Sequence, residues 1–257
     1  MRLKDRVAII TGSGQGIGLA TALEFAREGA IVVVCDVNEE AAHTAVSLIE
    51  ATGSQARLFV VDVTDEKQVN KMVQSVLHEF KRVDILVNNV GGRPAGLEWD
   101  YFRNYSIDEV RKFIELNLFG SIICSRAVIN EMIARRYGKI INVSSIVAVF
   151  GQMKGIGYAT AKSALEGFTA SLAKEVAEFG INVNCIMPGL AETPAIAARL
   201  KEMPERYKQL CEWSHFGRLG KPEEFAKVIV FLASDDSSFM SGATVPVEGG
   251  ILKFRLM

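Results

Sequence analysis

The chain alternates short runs of β-branched and other apolar residues with longer segments of helical periodicity, and no other feature narrows its possible folds so far. The runs are Val7-Ala8-Ile9-Ile10, Ile31-Val32-Val33-Val34, Leu58-Phe59-Val60-Val61, Ile85-Leu86-Val87, Lys139-Ile140-Ile141-Asn142-Val143 and Ile181-Asn182-Val183-Asn184-Cys185-Ile186. Several are apolar throughout, which is how a strand reads when both faces of its sheet are covered, and so predict a parallel sheet with helices on each side. The intervening stretches, such as Ile17 to Glu28, Glu39 to Ala51 and Glu66 to Phe80, are long enough for crossover helices. The predicted class is therefore α/β, a doubly wound parallel β-sheet built from βαβ units. With 257 residues, 49% of them hydrophobic, and no linker, repeat or low-complexity tract, a single domain over residues 1–257 is the economical expectation. Two segments break the rhythm, 91–106 and 188–216. Long irregular segments in a compact domain are often lids, so both are expected to cover a substrate, with plain surface excursions as the alternative.

Charge removes several function classes. There are 29 Lys plus Arg against 30 Asp plus Glu, a net charge of -1, and no basic block to track a phosphate backbone, so nucleic acid is not expected as a partner. Cys35, Cys124, Cys185 and Cys211 are widely separated with no C-x-x-C, which fits small core residues in a reducing compartment. Arg2 and Lys4 precede only a four-residue apolar run that breaks at Gly12, too short for a secretory signal, and no run approaches the roughly 18 residues of a membrane span. A soluble cytoplasmic protein without a membrane partner is the expectation. His43, His78 and His215 show no ligand spacing, so no metal site is expected.

Thr11-Gly12-Ser13-Gly14-Gln15-Gly16-Ile17-Gly18 lies directly after the first strand and opens the first helix. Glycines there let backbone N–H groups approach a pyrophosphate, and the helix N-terminus adds its partial positive charge. The pattern is T-G-x-x-x-G-x-G, with Ile17 where the commoner G-x-G-x-x-G has its last glycine. Asp36 follows the second strand, 24 positions after Gly12, where a carboxylate accepts hydrogen bonds from an adenosine ribose and repels a 2′-phosphate. Neither neighbour, Cys35 or Val37, is basic, and Ser13 and Gln15 stand where an NADP-binding protein places Arg or Lys. NAD is favoured over NADP; the alternative for Asp36 is a helix N-cap or turn residue.

Tyr158 and Lys162 are four residues apart, and Ser145 lies thirteen residues before the tyrosine at the end of an apolar strand-like run. On a helix, i and i+4 share a face, so the ammonium can sit beside the phenol and favour its ionised form. Tyrosine titrates near ~10, and a proton-transfer catalyst works best near the working pH, so a fixed cation narrows the gap. Taken alone, the spacing is also that of many ordinary helix pairs.

These residues resemble the short-chain dehydrogenase/reductase family in its single-domain form, along nearly the whole chain. The resemblance rests on Thr11-Gly12-x-x-x-Gly16-x-Gly18, Asp62-Val63, Asn88-Asn89-Val90-Gly91, Asn117, Ser145, Tyr158, Lys162, Pro188-Gly189 and Thr193; Val90 departs slightly, since the family usually has alanine there. It implies a Rossmann-type sheet and a catalytic set of Asn117, Ser145, Tyr158 and Lys162. Tyr158 would be the base in alcohol oxidation and the acid in ketone reduction, and Ser145 would orient the substrate oxygen. Lys162 would lower the Tyr158 pKa and bond the nicotinamide ribose, and Asn117 would anchor a water linking Lys162 to solvent. The interval to Tyr158 selects Ser145 over its neighbour Ser144. It also implies that Gly12, Ser13, Gln15, Gly16, Ile17, Gly18, Asp36, Val37, Asp62, Val63, Asn89, Val90 and Gly91 contact the cofactor's phosphates and adenosine. Pro188, Gly189 and Thr193 would meet its nicotinamide end, with an N-cap before Pro194 open for Thr193 as well.

The implied activity is NAD-dependent interconversion of a secondary alcohol and a ketone, with an apolar or cyclic substrate and with Arg93 or Arg103 meeting a carboxylate where one is present. The alternatives are a 3-oxoacyl thioester reductase, which Asp36 disfavours because biosynthetic reduction usually draws on NADPH, and a non-catalytic NAD-sensing module, which would not need all four residues. The family also implies a homotetramer paired through the helix carrying Tyr158 and the one before it, with the segment from Ile251 to Met257 at another contact.

Overall fold

A computed structural model describes residues 1–252, with the side chains of Ala195 and Arg199 left aside. Seven strands form one parallel sheet in the order β3-β2-β1-β4-β5-β6-β7: β1 (Val7–Thr11), β2 (Ile31–Asp36), β3 (Ala56–Val60), β4 (Ile85–Asn88), β5 (Gly138–Val143), β6 (Ile181–Pro188) and β7 (Thr244–Val247). All six pairings are parallel, with Ile10 opposite Val34 and Val87, and Asn88 opposite Asn142. The expected α/β class, a doubly wound Rossmann-type sheet, is what the chain forms.

The continuous apolar runs divide by parity between two cores. Ala8, Ile10, Val32, Val34, Ile85 and Val87 turn to one face and meet α1 (Gly16–Arg27), α2 (Glu39–Glu50) and the late helix Pro222–Ala233 through Phe25, Ala45 and Ile229. Val7, Ile9, Val33, Cys35, Leu86 and Ile140 turn to the other and meet α3 (Glu66–Phe80), α5 (Gly120–Arg135) and α7 (Ile156–Val176) through Met72, Val128 and Val176. This alternation is why a strand buried on both faces carries no polar stripe. The crossover helices start on caps that the local sequence supplies: Asn38 accepts from Ala41 N, Asp65 from Lys67 N and Gln68 N, and Ser106 with Glu109 makes a capping box for α4 (Ile107–Ile114).

Several sequence expectations need correction. The third strand begins at Ala56, two residues before its apolar run, because β3 is an outer strand and tolerates Arg57 in a half-covered position. A seventh strand, β7, joins the six expected ones; it is short and contains Pro246, whose missing N–H costs little at the sheet edge. The segment 188–216 is not irregular. It holds α8 (Pro194–Lys201) and α9 (Pro204–Cys211), each with its proline in the first turn, where proline opens a helix rather than breaking one. After the four-residue α6 (Val147–Phe150), the chain enters α7, and α10 is the helix Pro222–Ala233. The helical stretch Ile107–Arg135 is long and apolar enough, by length and composition, to cross a membrane, against the reading that no segment is. Its apolar side chains Phe113, Cys124, Val128 and Met132 are buried in the domain. Of the segment from Ile251 to Met257, residues 253–257 lie outside the described residues.

Candidate active site

The strand order reverses between β1 and β4: β1 pairs with β2 on one side and β4 on the other, so the chain leaves the sheet in opposite directions and a crevice opens at the strand C-termini. A cleft of about 950 Å³ lies there. Its lining includes Gly12, Gln15, Gly16, Ile17, Asp36, Val37, Asp62, Val63, Asn89, Val90, Gly91, Ser145, Tyr158, Lys162, Pro188, Gly189 and Thr193. Residues from nearly the whole length of the chain thus converge on one site.

At one end, the glycine loop turns sharply from β1 into α1. Gly12 and Gly16 take φ of 63° and 58°, a region costly for residues with a Cβ. A Cβ on Gly14 would stand 2.9 Å from Asp36 Oδ2, and the Gly14 N–H donates to that same oxygen at 2.8 Å. Asp36 is thereby held at the end of β2, with Oδ1 accepting from Asn38 N at 3.0 Å. Asn38, not Asp36, caps α2.

Two predicted loop contacts fall outside the cleft lining. The Ser13 hydroxyl turns inward, donating to Ile10 O at 2.7 Å and accepting from Cys35 N at 3.1 Å, and its own N–H is spent on Cys35 O. Ser13 locks the loop to β1 and β2, and the side chain is buried. Gly18 serves packing: a Cβ there would lie 2.1 Å from Gly12 O and 2.6 Å from Asn89 Nδ2. Asn89 in turn donates to Thr11 O and Gly12 O at 3.0 Å each, tying the end of β4 to the loop.

At the other end, Tyr158 and Lys162 occupy the first turns of α7, as the spacing predicts. The Lys162 Nζ lies 5.8 Å from the Tyr158 ring centroid and donates to Val143 O at 2.7 Å. Burial draws the Lys162 ammonium down to about 8, opposed in small part by the charge of Cys185. Burial also pushes the Tyr158 phenol above its ordinary range, and the hydrogen bond with Ser145, rather than the charge of Lys162, pulls it back. The direction for Tyr158 is therefore upward in this structure, against the expected downward one, because removal of water outweighs the hydrogen bond with Ser145.

Ser144 and Ser145 separate as the spacing indicates. The Ser144 hydroxyl donates to Lys162 O at 2.9 Å and to Glu166 Oε1 at 3.2 Å, facing α7, whereas Ser145 reaches Tyr158. Asn117 sits in a π-helical turn, Glu115–Phe119, that joins α4 to α5. Its side chain is buried and committed to backbone, with Oδ1 accepting from Gly92 N at 2.6 Å and Nδ2 donating to Gly92 O at 2.8 Å and Phe113 O at 2.9 Å. It stands outside the cleft lining and fixes the turn that carries Gly91. A Cβ on Gly91 would come within 2.7 Å of Lys162 Nζ and 2.9 Å of Asn117 Oδ1, so both groups close on that one residue.

Thr193 caps α8, accepting from Ile196 N at 3.3 Å, and its methyl also closes over Gly16, where a Cβ would meet it at 3.2 Å. Thr193 is thus the N-cap of α8 and part of the cleft lining at once. The helical segment that follows has a small core of Leu200, Cys211 and Leu219, and the Tyr207 hydroxyl ties α9 to Glu192 by donating to its Oε1 at 2.9 Å.

The two arginines of 91–106 part company. Arg93 lines the cleft but is paired with the Glu98 carboxylate and Leu97 O. Arg103 stands outside it, over the Tyr101 ring at 5.0 Å from the centroid. The cleft wall also includes Lys112, Leu116, Ile146, Val147 and Gln152, which carry no motif and could be found only from tertiary structure.

A family model described as enoyl-(acyl carrier protein) reductase matches residues 12–252. A 3-oxoacyl-(acyl carrier protein) reductase from Thermotoga maritima is 37% identical over 98% of this chain and 100% of its own length. The chain belongs to the short-chain dehydrogenase/reductase family, and is an oxidoreductase of that family. Among its relatives, a hydroxy(phenyl)methylsuccinyl-CoA dehydrogenase subunit from Thauera aromatica is 38% identical over 97% of this chain and 98% of its own length. Of solved structures in the family, a 7α-hydroxysteroid dehydrogenase in complex with NADH and 7-oxo glycochenodeoxycholic acid superposes with a TM-score of 0.90 at 34% identity, covering 97% of this chain and 95% of its own. An NAD+-bound xylitol dehydrogenase gives 0.90 at 33% identity over 97% of this chain and all of its own.

Proposed function

We propose that this family member is an NAD(H)-dependent oxidoreductase interconverting a secondary alcohol and a ketone, with an apolar or cyclic substrate. One observation carries the reading: the Tyr158–Ser145–Lys162 cluster, the glycine loop and Asp36 at the end of β2 line the same cleft. When bound, a nicotinamide dinucleotide supplies the hydride chemistry at such a site. The chain's residues fit it, since the positive-φ glycines leave the loop's backbone bare toward the cleft and a Cβ at Gly14 would strike Asp36. Tyr158 moves the hydroxyl proton, Ser145 orients the substrate oxygen, Lys162 holds positive charge beneath the site, and Asn117 fixes the turn bearing Gly91. Leu116, Ile146, Val147 and Leu190 offer an apolar wall to the substrate. A carboxylate on the substrate could engage Arg93 only by displacing Glu98.

The preference for NAD rests on Asp36. A carboxylate about 4 Å from a 2′-phosphate is worth roughly 4 kcal/mol of repulsion per unit charge at the effective dielectric of a protein surface, which is more than a hundredfold in affinity. Titrating NADH and NADPH into the protein tests this. NADH should bind at least tenfold tighter, and equal affinities would remove the role given to Asp36. The curated relatives favour a second reading, a 3-oxoacyl thioester reductase, because 3-oxoacyl-(acyl carrier protein) reductases recur among them at 34–40% identity. Turnover of acetoacetyl-CoA in preference to cyclic ketones would move the assignment there. A homotetramer paired through α5 and α7, in a reducing compartment that keeps the four buried cysteines as thiols, completes the proposal; light scattering giving a monomer would overturn its first half.

A further inference from the structure

The segment 91–106 interrupts the helical rhythm, yet it is not slack. The Tyr105 hydroxyl donates toward Glu98 O at 2.7 Å and Lys154 O at 3.2 Å and accepts from Asp100 N at 2.9 Å, stapling the segment to the turn before α7. Its N-terminal end is gripped by Asn117 at Gly92, and its C-terminal end by the Ser106–Glu109 capping box. Between these fixed points stands Trp99. Its ring packs edge-on against Tyr158, with centroids 5.7 Å apart and planes at 74°, and against Phe113 at 5.4 Å. Phe113 also meets Tyr105, at 5.8 Å and 73°, so the rings form one chain from the staple to the reacting phenol. Gly157, next to Tyr158, makes room for this, since a Cβ there would stand 2.7 Å from Phe113 Cβ.

We propose that Trp99 is a positioning residue for the reaction: from outside the cleft lining it fixes the ring plane of Tyr158 and keeps water from the back of the phenol. Edge-to-face aromatic contacts at such distances are directional, and a misplacement of about 1 Å at a reacting group can cost roughly a hundredfold in rate. The inference rests on the catalytic role proposed for Tyr158. It goes beyond the expectation that the segment 91–106 covers a substrate.

The charged groups nearest in the site are Lys162 on the same helix as Tyr158 and, elsewhere in the cleft lining, Lys112, Glu115 and Arg93, the last paired with Glu98. None of these is removed by changing Trp99. Because burial is what raises the phenol, admitting water behind it lowers its pKa, and the alkaline-activated limb of the oxidation profile then moves to lower pH.

The experiment compares wild type, Trp99→Phe, Trp99→Ala and Tyr158→Phe in alcohol oxidation, measuring kcat, KM for NAD, the pH–rate profile and NADH affinity. Trp99→Ala should lose roughly 10- to 100-fold in kcat with NAD KM and NADH affinity within twofold, and its profile should shift to lower pH; Trp99→Phe should restore most of kcat. Wild-type kcat in Trp99→Ala would overturn the inference. So would a loss of kcat with an unmoved pH profile, or a parallel collapse of NADH binding, either of which marks a merely structural role. Full activity in Tyr158→Phe would instead overturn the underlying function, which separates the two failures.

Discussion

Replacing Gly91 with alanine tests the arrangement of the site with a single methyl group. Gly91 does not lie in the left-handed region, so alanine meets no conformational objection there and the effect is steric. Its Cβ would stand 2.7 Å from Lys162 Nζ, 2.9 Å from Asn117 Oδ1 and 3.1 Å from Lys162 Cε. Ordinary contact needs about 3.5 Å, so one or both partners must retreat by roughly 0.7 Å. Neither can do so freely. Lys162 is 2% exposed and bonded to Val143 O at 2.7 Å, and Asn117 is fully buried with its amide paired to Gly92 in both directions. Overpacking of this kind costs about 1–3 kcal/mol of stability, and the displaced ammonium should reduce kcat by roughly a hundredfold. Steady-state kinetics with NAD and a substrate alcohol, together with a thermal melt, measure both. Gly92 makes a useful contrast: it has open space around it but a φ of 127°, so alanine there strains the backbone without colliding with Lys162. Wild-type kcat and Tm in Gly91→Ala would refute the packing of Lys162 and Asn117 described above.

Two further predictions concern pH and the lid. Burial holds the thiols of Cys124 and Cys185 at about 12 against an ordinary 9, so the folded state keeps protons that the unfolded chain gives up. Their stabilising contribution is complete below pH 9 and is lost as pH rises toward 12, at up to about 1.4 kcal/mol per pH unit for each thiol; urea midpoints at pH 8, 9.5 and 10.5 should fall accordingly, and less steeply in Cys124→Ala. Tyr207→Phe removes the hydroxyl that ties α9 to Glu192, a part-exposed bond worth about 1 kcal/mol, and should raise substrate KM several-fold with little change in kcat; an unchanged KM would show that the lid does not depend on it.

The sheet was legible in the sequence because burial on both faces leaves an uninterrupted apolar run, which local pattern can register without tertiary information. Where a residue's role depends on its place in the whole, pattern failed. The short edge strand β7, with Pro246 inside it, lacks the long apolar run that marks the central strands, and the segment 188–216 showed no helical rhythm although Pro194 and Pro204 each open a helix there. Most of the candidate site's lining was legible as well, since Gly12, Gly16, Asp36, Ser145, Tyr158 and Lys162 stand at characteristic intervals and meet in one cleft. Ser13 misled because a hydroxyl in a phosphate loop can turn inward as well as outward, and here it bonds Ile10 O. The upward direction of Tyr158 and its contact with Trp99 lie beyond spacing altogether: both follow from how a segment 59 residues earlier folds against α7.

The most direct test of the central claim is reduction of NAD by a panel of cyclic and linear secondary alcohols, run with wild type and Tyr158→Phe. The account predicts that wild type turns over at least one of them, and that the mutant loses roughly 10²- to 10⁴-fold in rate while still binding NADH, as expected when a proton-transfer group is removed from an otherwise intact site. Turnover by Tyr158→Phe at the wild-type rate would contradict it.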